Sequence, residues 1–417
     1  MPRSHAYPPD LARYVEANWP EGQALSLSDE LFEEALSIAF QASLTLEESR
    51  PTRFRLLLTS PEALPEAGRP RAGVLRLRFE QPRALTANEL RRLAPAVPFE
   101  SALIAADAYE GKLRIWGVAH SGPVWLAPTW GGRDVVPIWT YDPIVHVTGP
   151  GHLAVRCAGK LIAAIERGQV VDATIDVFDS SWLPALFARE REDIRAAHDA
   201  SQRDARVPTS VEHLLVGKVG QHMLRRTIQL VRGAHHGGLL LVLDTRGEQR
   251  PRGLRLKYGL SQDEPSRRYR TLLLRILEAV ARPSDKPSVG WTDFVEDQSV
   301  ELAALEQEVF ELSRVLANLS AIDGALVLDK RLGVLGFGAE VSAELPTPER
   351  VFRALDPEGV VRQPESIENV GTRHRAAYRF VNDHPEGLAV VVSQDGGVSF
   401  VANRDGEVVF WEQSVSP

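Results

Sequence analysis

The sequence is poor in cysteine, in methionine and in long apolar runs. Its 417 residues include one Cys and two Met, so Cys157 has no partner for an internal disulfide. No Cys/His cluster has the spacing of a zinc site. No uninterrupted apolar stretch reaches the roughly 18 residues of a membrane span, and the first ten residues lack the apolar core of a signal peptide. These absences predict a soluble, cytoplasmic protein that does not associate with a membrane.

Basic residues are also not in excess. Lys and Arg number 48 against 56 Asp and Glu, which gives a formal net charge of −8. No nucleic-acid partner is therefore expected. The net charge does not exclude a local pocket lined by basic residues. The chain is 44% hydrophobic and 25% charged, as globular proteins are, which excludes a mainly disordered or fibrous class. At roughly 100–200 residues per domain, this length predicts two or three domains.

Two stretches predict domain boundaries. Residues 187–207 are highly charged and nearly free of large apolar side chains, which is typical of an exposed helix or a linker. Residues 282–291 contain two Pro, two Ser and one Gly. We therefore predict an N-terminal α/β domain at 1–186 and a linker or exposed helix at 187–207. A middle α/β segment at 208–290 and a C-terminal domain at 291–417 follow.

Hydrophobic periodicity predicts a mixed α+β fold. The apolar run at 237–244 reads as a buried strand, with 254–258 as its expected hairpin partner. Apolar residues recur every three or four positions over 302–319, which predicts a helix docked on a sheet, with a short coiled coil as the alternative. Tight turns at 395–397 and 404–406 separate three further strands. The C-terminal domain should therefore hold a central mixed sheet flanked by helices.

The run Gly-Thr-Arg-His-Arg-Ala-Ala at 371–377 can bind an anion. Four successive side chains can donate hydrogen bonds, and two of them are permanently cationic: Thr372, Arg373, His374 and Arg375. Gly371 allows the backbone to approach a ligand closely. Donors and positive charge at the start of a helix suit a triphosphate, because the helix dipole also favours anions there. The alternative is a solvated basic turn.

Asp323 directly precedes a short apolar strand. A carboxylate in this position can hold a divalent cation against phosphates or orient a ribose hydroxyl. Gly324 and Ala325 would keep the neighbouring backbone open beside a nucleotide. The alternative is a plain Asp-Gly turn.

Taken in order, the strings DGALVLD, GTRHRAA and VVSQDGG resemble the diadenylate cyclase (DAC) domain. This is the catalytic domain of DNA-integrity scanning proteins and cyclic di-AMP synthases, and the resemblance covers about residues 295–412. It implies that two domains, each holding one ATP, meet face to face. Each ribose 3′-hydroxyl attacks the α-phosphate of the other nucleotide, which yields cyclic di-AMP and two pyrophosphates.

The resemblance also implies roles for single residues. Asp323 would bind the catalytic Mg²⁺ or Mn²⁺ and help to activate the 3′-hydroxyl, with Arg373 and His374 as further catalytic residues. The implied nucleotide contacts are Gly324, Ala325, Gly371, Thr372, Arg373, His374, Arg375, Ser393 and Gln394. Gln394 departs from the family, where many members have Glu, and a neutral amide weakens metal binding. Glu340 is a candidate replacement, with a surface turn as the alternative.

The upstream residues are similar to soluble sensor regions that precede some DAC domains. This likeness rests on HHGGLLLVLD at 235–244 and LRIWG at 113–117. His235, His236 and Trp116 are candidate contacts for a sensed small molecule, with structural roles as the alternative. The expected partners are thus ATP, a second copy of the chain and an unidentified small ligand.

The sequence favours a diadenylate cyclase gated by an N-terminal sensor. Two alternatives stay open, namely a regulatory protein that binds a nucleotide without turning it over, and a cyclase with a different base choice. The ligand sensed, the resting state and the oligomeric state are not determined by any motif.

Overall fold

The chain folds into two compact units, which are described separately. The computed structural model describes residues 5–22, 25–64, 74–121, 131–132, 141–158, 160–166, 168–171, 175–202, 208–245, 252–260, 264–368 and 370–413. The N-terminal unit extends to residue 174, and the C-terminal unit extends from residue 175 to 415 and also includes 129–133.

The described part of the N-terminal unit is a mixed sheet with helices on one face. Its helices are α1 (Pro8–Ala17), α2 (Asp29–Ser43) and α3 (Ala87–Leu93), the last followed by a 3₁₀ turn at Ala94–Ala96. Its strands are β1 (Leu46–Glu47), β2 (Arg50–Pro51), β3 (Phe54–Leu58), β4 (Leu75–Ala84), β5 (Ala102–Tyr109), β6 (Lys112–His120), β7 (Ile144–Gly149), β8 (His152–Cys157), β9 (Lys160–Glu166) and β10 (Gln169–Val171). Eight of them form one sheet in the order β10-β9-β8-β7-β3-β5-β6-β4.

Helix α2 illustrates how the sequence builds this unit. Ser28 caps the helix by accepting a hydrogen bond from the backbone N–H of Leu31, and acidic residues occupy the first turn. Phe32, Ala35 and Leu36 are fully buried at helical spacing and pack against the sheet.

The C-terminal unit has helices on both faces of a larger sheet. Its helices are α4 (Trp182–Leu186), α5 (Ala188–Ser201), α6 (His213–Gly233), α7 (Glu264–Ala281), α8 (Trp291–Glu296), α9 (Val300–Leu319) and α10 (Thr372–Asp383), with a 3₁₀ turn at Val177–Asp179. Its strands are β11 (Ser210–Val211), β12 (Gly238–Leu243), β13 (Leu254–Gly259), β14 (Ser288–Val289), β15 (Ala325–Asp329), β16 (Val334–Val341), β17 (Val351–Ala354), β18 (Arg362–Glu365), β19 (Leu388–Val392), β20 (Val398–Arg404) and β21 (Glu407–Gln413).

Strand β12 lies inside the nine-stranded sheet, whose order is β13-β16-β15-β12-β19-β20-β21-β17-β18. It pairs in parallel with β15 and antiparallel with β19. Alternate residues enter different cores: Leu240 and Val242 pack with α6, α7 and α9, whereas Leu239 and Leu241 pack with α10. Burial on both faces explains why β12 is continuously apolar rather than alternating.

The mixed α+β class predicted from the sequence is confirmed, as is the helix over 302–319, which packs mainly on α6 and α7 in the core that these helices share with the sheet. Two details differ. The segment 254–258 is a strand, but it pairs with β16 and not with 237–244, because both sides of β12 are already taken by β15 and β19. The segment 187–207 begins with α5, whose Ile194 and His198 are buried, so this helix is not fully exposed.

The boundary proposed near residue 290 lies within the C-terminal unit. Residues 208–290, grouped above with the sensor region, contribute β12 and β13 to the same sheet as the DAC-like motifs. The Pro-, Ser- and Gly-containing stretch at 282–291 marks a surface loop and not a domain boundary. Strands from before and after this loop pair with one another in the same sheet. Residues 344–370 include β17 and β18, which extend the far edge of this sheet.

Among the helices that the structure describes, none is long and apolar enough to cross a membrane.

We predict that a fragment starting at residue 175 folds, whereas a fragment of residues 291–417 does not. The shorter fragment lacks β12, so β15 and β19 lose the strand between them and the apolar faces of α9 and α10 lose their support. Circular dichroism melting and dispersed amide resonances measure this outcome. A cooperative transition in 291–417 would contradict the assigned unit.

Candidate functional site

One edge of the nine-stranded sheet gathers most of the residues singled out from the sequence. Gly238 at the start of β12 pairs with Val392 at the end of β19, and β15 runs parallel to β12 in register. The segments before β12, before β15 and after β19 therefore emerge side by side. With strands about 4.8 Å apart, Asp323 and Ser393 are roughly 10 Å apart across the position of β12.

The turn before β15 has room only for glycine. Gly324 has a φ of +111°, and a Cβ there would lie 2.6 Å from the backbone carbonyl carbon of Gly338. Ala325 follows, fully buried and paired with Ala339. This close packing of β15 against β16 leaves Asp323 exposed at the sheet edge.

Helix α10 begins at the same edge with an uncapped N-terminus. Gly371 is the N-cap residue, no side chain of the described residues caps the helix, and its first turn has no acidic residue. Thr372 and Arg375 are exposed. The free N–H groups and the positive end of the helix dipole therefore favour an anion here.

Arg373 connects α10 to the turn before β12. Its Nη2 donates a hydrogen bond to the carbonyl oxygen of His236 at 3.3 Å. Gly237 has a φ of +66°, and a Cβ on it would lie 2.8 Å from Nη1 of Arg373 and 2.9 Å from the carbonyl oxygen of Val392. The absence of a side chain at Gly237 allows the guanidinium to lie against the backbone.

His374 is half-buried between α10 and β20. Its Nε2 lies 3.3 Å from the hydroxyl of Ser399. Burial lowers the pKa of His374 below its usual value, and the carboxylates of Glu412 and Asp395 raise it by less. His374 is therefore mainly uncharged at neutral pH, and the positive charge of the motif comes from Arg373 and Arg375.

The turn between β19 and β20 is held by backbone hydrogen bonds and by one arginine. The N–H of Ser393 donates to the carbonyl of Gly397 at 2.8 Å, and Nε of Arg232 donates to the carbonyl of Gly396 at 3.1 Å. Gln394 is exposed at the tip. Arg232 and Ser399 were not found by sequence reasoning. The only signal for Arg232 is a cation in the last turn of α6, and Ser399 has none.

The three residues proposed for a sensor ligand are not brought together within one unit. His235 and His236 belong to the C-terminal unit and form the turn that Arg373 contacts. Trp116 belongs to β6 of the N-terminal unit, where it is buried and its indole N–H donates to the carbonyl of Thr59 at 2.9 Å. That geometry is typical of a core tryptophan.

The described residues fit a divalent cation only if a ligand completes its coordination. No group of three or more His, Cys, Asp or Glu in the described ranges could hold a metal ion. Glu340 lies on β16 rather than in a surface turn, and Arg255 donates to its carboxylate at 2.5 Å and 3.1 Å. Two exposed carboxylates remain at this edge, Asp323 before β15 and Asp395 in the β19–β20 turn. One carboxylate together with phosphate oxygens is a common Mg²⁺ environment.

Comparison with known proteins identifies part of the N-terminal unit. Residues 22–120 match a family described as "Probable sensor domain DACNV". No protein with a curated description matches the chain. A solved structure of a hypothetical membrane spanning protein from Bacillus cereus is 15% identical, covering 55% of this chain and 92% of that chain, with a TM-score of 0.24. That likeness is too small to support an argument about the fold.

We predict that Gly324→Ala destabilises the C-terminal unit by at least about 2 kcal/mol, because the new Cβ meets backbone atoms and the positive φ disfavours alanine. The matched control is Gly371→Ala, where φ is −64° and no atom lies within 4 Å of the new Cβ. It should change stability by less than about 0.5 kcal/mol. Urea denaturation measures the free energy of unfolding of both variants. Equal losses in the two variants would contradict the close packing around Gly324.

We also predict a pH dependence from His374. Because its pKa is lower in the folded state, the unfolded chain binds the proton more readily, and stability present above about pH 6.5 is lost as the pH falls through the folded pKa. His374→Gln should therefore lose less free energy of unfolding than the wild type between pH 7.5 and 5.5. Exposed His152→Gln serves as the control. Parallel curves for wild type and His374→Gln would contradict this prediction.

Proposed function

We propose that the chain is a diadenylate cyclase in which a DACNV-type sensor domain accompanies a nucleotide-binding C-terminal unit. The observation that carries the proposal is the shared sheet edge. The DGA turn, the N-terminus of α10 with its RHR motif and the β19–β20 turn all open there, around the entry to β12. The family match at 22–120 supports the sensor part.

The triphosphate would bind at the N-terminus of α10. The free N–H groups of the first turn and the side chains of Thr372, Arg373 and Arg375 supply donors and two positive charges. Neutral His374 donates or accepts one hydrogen bond, depending on its tautomer. Arg373 already contacts the backbone of His236, so its guanidinium is held in place before a ligand arrives.

Asp323 would lie beside the reacting end of the nucleotide. Mg²⁺ or Mn²⁺, held by Asp323 and the phosphate oxygens, would neutralise the charge that develops on the phosphates. The adjacent Gly324 and Ala325 present only backbone and a methyl group, so they leave space for the ribose. Ser393 and Gln394 border the opposite side of the edge.

The reaction requires two copies of the site. The 3′-oxygen of one nucleotide forms a bond to the α-phosphorus of the other while the bond to pyrophosphate breaks, and the hydroxyl proton is released. The same step in the opposite sense closes the ring, so two ATP yield cyclic di-AMP and two pyrophosphates. A second copy of this chain would supply the second site. The sensor domain would regulate synthesis by binding its ligand more tightly in one arrangement of the two copies than in another.

A regulatory protein that binds a nucleotide without turnover is the second candidate. The neutral amide of Gln394 and the engagement of Glu340 with Arg255 favour it, because both reduce the carboxylates available for a cation.

The decisive experiment incubates the full chain with ATP and Mg²⁺ or Mn²⁺ and identifies products by mass spectrometry. Asp323→Asn should abolish cyclic di-AMP. Asp329→Asn, the same change at the other end of β15, should retain synthesis, because the amide oxygen can still accept from the N–H groups of Arg331 and Gly333. Arg373→Ala should weaken ATP binding about 10- to 100-fold, as expected for a charge-assisted hydrogen bond.

The outcomes separate the two candidates. Product that disappears in Asp323→Asn and persists in Asp329→Asn supports the cyclase. Saturable ATP binding with no product under either metal supports the nucleotide-binding regulator. Unchanged ATP binding in Arg373→Ala contradicts the phosphate site at α10, and therefore contradicts both the cyclase and the nucleotide-binding regulator as they are described here.

A further inference from the structure

A separate pocket lies in the C-terminal unit, at the end of β15 opposite Asp323. Helices α4 to α7 and the turn after β15 surround it, and its empty volume is about 730 Å³ with the mouth included. Seven residues of extended chain separate Asp323 from Lys330 at its rim, or roughly 20 Å. The pocket is therefore distinct from the sheet edge described above.

Helix α6 leaves space for this pocket by presenting glycines. Gly217 and Gly220 are one turn apart and both line it. A Cβ built on Gly220 would meet no atom within 4 Å, so the space beside it is open. The walls are apolar and buried, formed by Phe178, Leu183, Ile194, Leu224, Leu273 and Leu332.

Positive charge predominates among the residues that line the pocket. Four are cationic, namely Arg191, Arg270, Lys330 and Arg331, and two are anionic, namely Glu190 and Asp193. Most of these cations already have partners. Lys330 lies 3.5 Å from the carboxylate of Glu386, Arg331 lies 3.7 Å from that of Asp193, and Arg270 donates to the carbonyl of Asp193.

Arg191 differs from the other cations. In the portion of the chain that the structure describes, its guanidinium forms no hydrogen bond or ion pair, and its Nη1 lies 3.4 Å from the Cβ position of Gly217. Burial lowers the pKa of its guanidinium. A partly desolvated cation without an acceptor is costly, and an anion bound beside it would remove that cost.

We propose that this pocket binds a small amphipathic anion, with an aliphatic or aromatic body between α5, α6 and α7 and a compact anionic head on Arg191. The apolar walls match the body of such a molecule, and Arg191 beside Gly217 matches its head. The walls offer too few donors for a triphosphate, so the pocket is not a second nucleotide site. The proposal does not depend on cyclase activity.

Calorimetric titration of the full chain, without nucleotide, with octanoate and with 1-octanol tests the proposal. Octanoate should bind at least tenfold more tightly than octanol. Gly220→Leu should abolish octanoate binding, because the new side chain occupies the open space. Gly233→Leu, the same change on the same helix where the Cβ is also unobstructed, should bind like the wild type. Arg191→Gln should weaken octanoate at least tenfold and leave octanol unchanged.

Unaltered melting temperatures of the variants confirm that they are folded. That pattern of affinities supports the proposal. Three results would each overturn the assignment of this pocket as the binding site. They are no octanoate binding by the wild type, equal binding by Gly220→Leu, and loss of binding in Gly233→Leu. Equal affinity for octanoate in Arg191→Gln and in the wild type overturns the claim that Arg191 binds the anionic head of the ligand. Because no ATP is present, failure here is distinguishable from failure of the proposed cyclase.

Discussion

The parallel pairing of β12 with β15 is the constraint on which the C-terminal unit depends. It joins residues 240–243 to residues 326–329 and brings the turns before both strands to one edge. Both cores of the unit pack on β12, since its alternate side chains enter the helix layer of α6, α7 and α9 or the layer of α10. Arg373 lies against Gly237, in the turn that enters β12 and beside the end of β19.

Local chemistry could be predicted from the sequence, whereas strand partnership could not. The helix at 302–319 was predictable because its apolar period is long, and the strands near 388–411 because turn residues separate them. The partner of 254–258 was predicted wrongly, since a two-residue alternation indicates a strand without saying which neighbour it takes. For the same reason His235 and His236 were grouped with the sensor, although the turn that they form is contacted by Arg373.

The electrostatics of the sheet edge are asymmetric. The α10 side holds the arginines, the free helix N–H groups and one carboxylate, that of Asp395, whereas Asp323 lies alone before β15. Burial keeps His374 mainly neutral, so it adds a hydrogen-bonding group without a third positive charge. Among the described residues, no group of three or more His, Cys, Asp or Glu could hold a metal at this edge, so a cation there would need further ligands.

The contact between Arg373 and the backbone of His236 joins residues 137 positions apart. The candidate site therefore does not exist in any local stretch of the chain, and it forms only when most of the nine-stranded sheet has formed. Such non-local contacts slow folding, and a ligand that needs them binds the native state but not the unfolded one. During synthesis on the ribosome, the candidate site would be unable to form until β19 and β20 had left the exit tunnel.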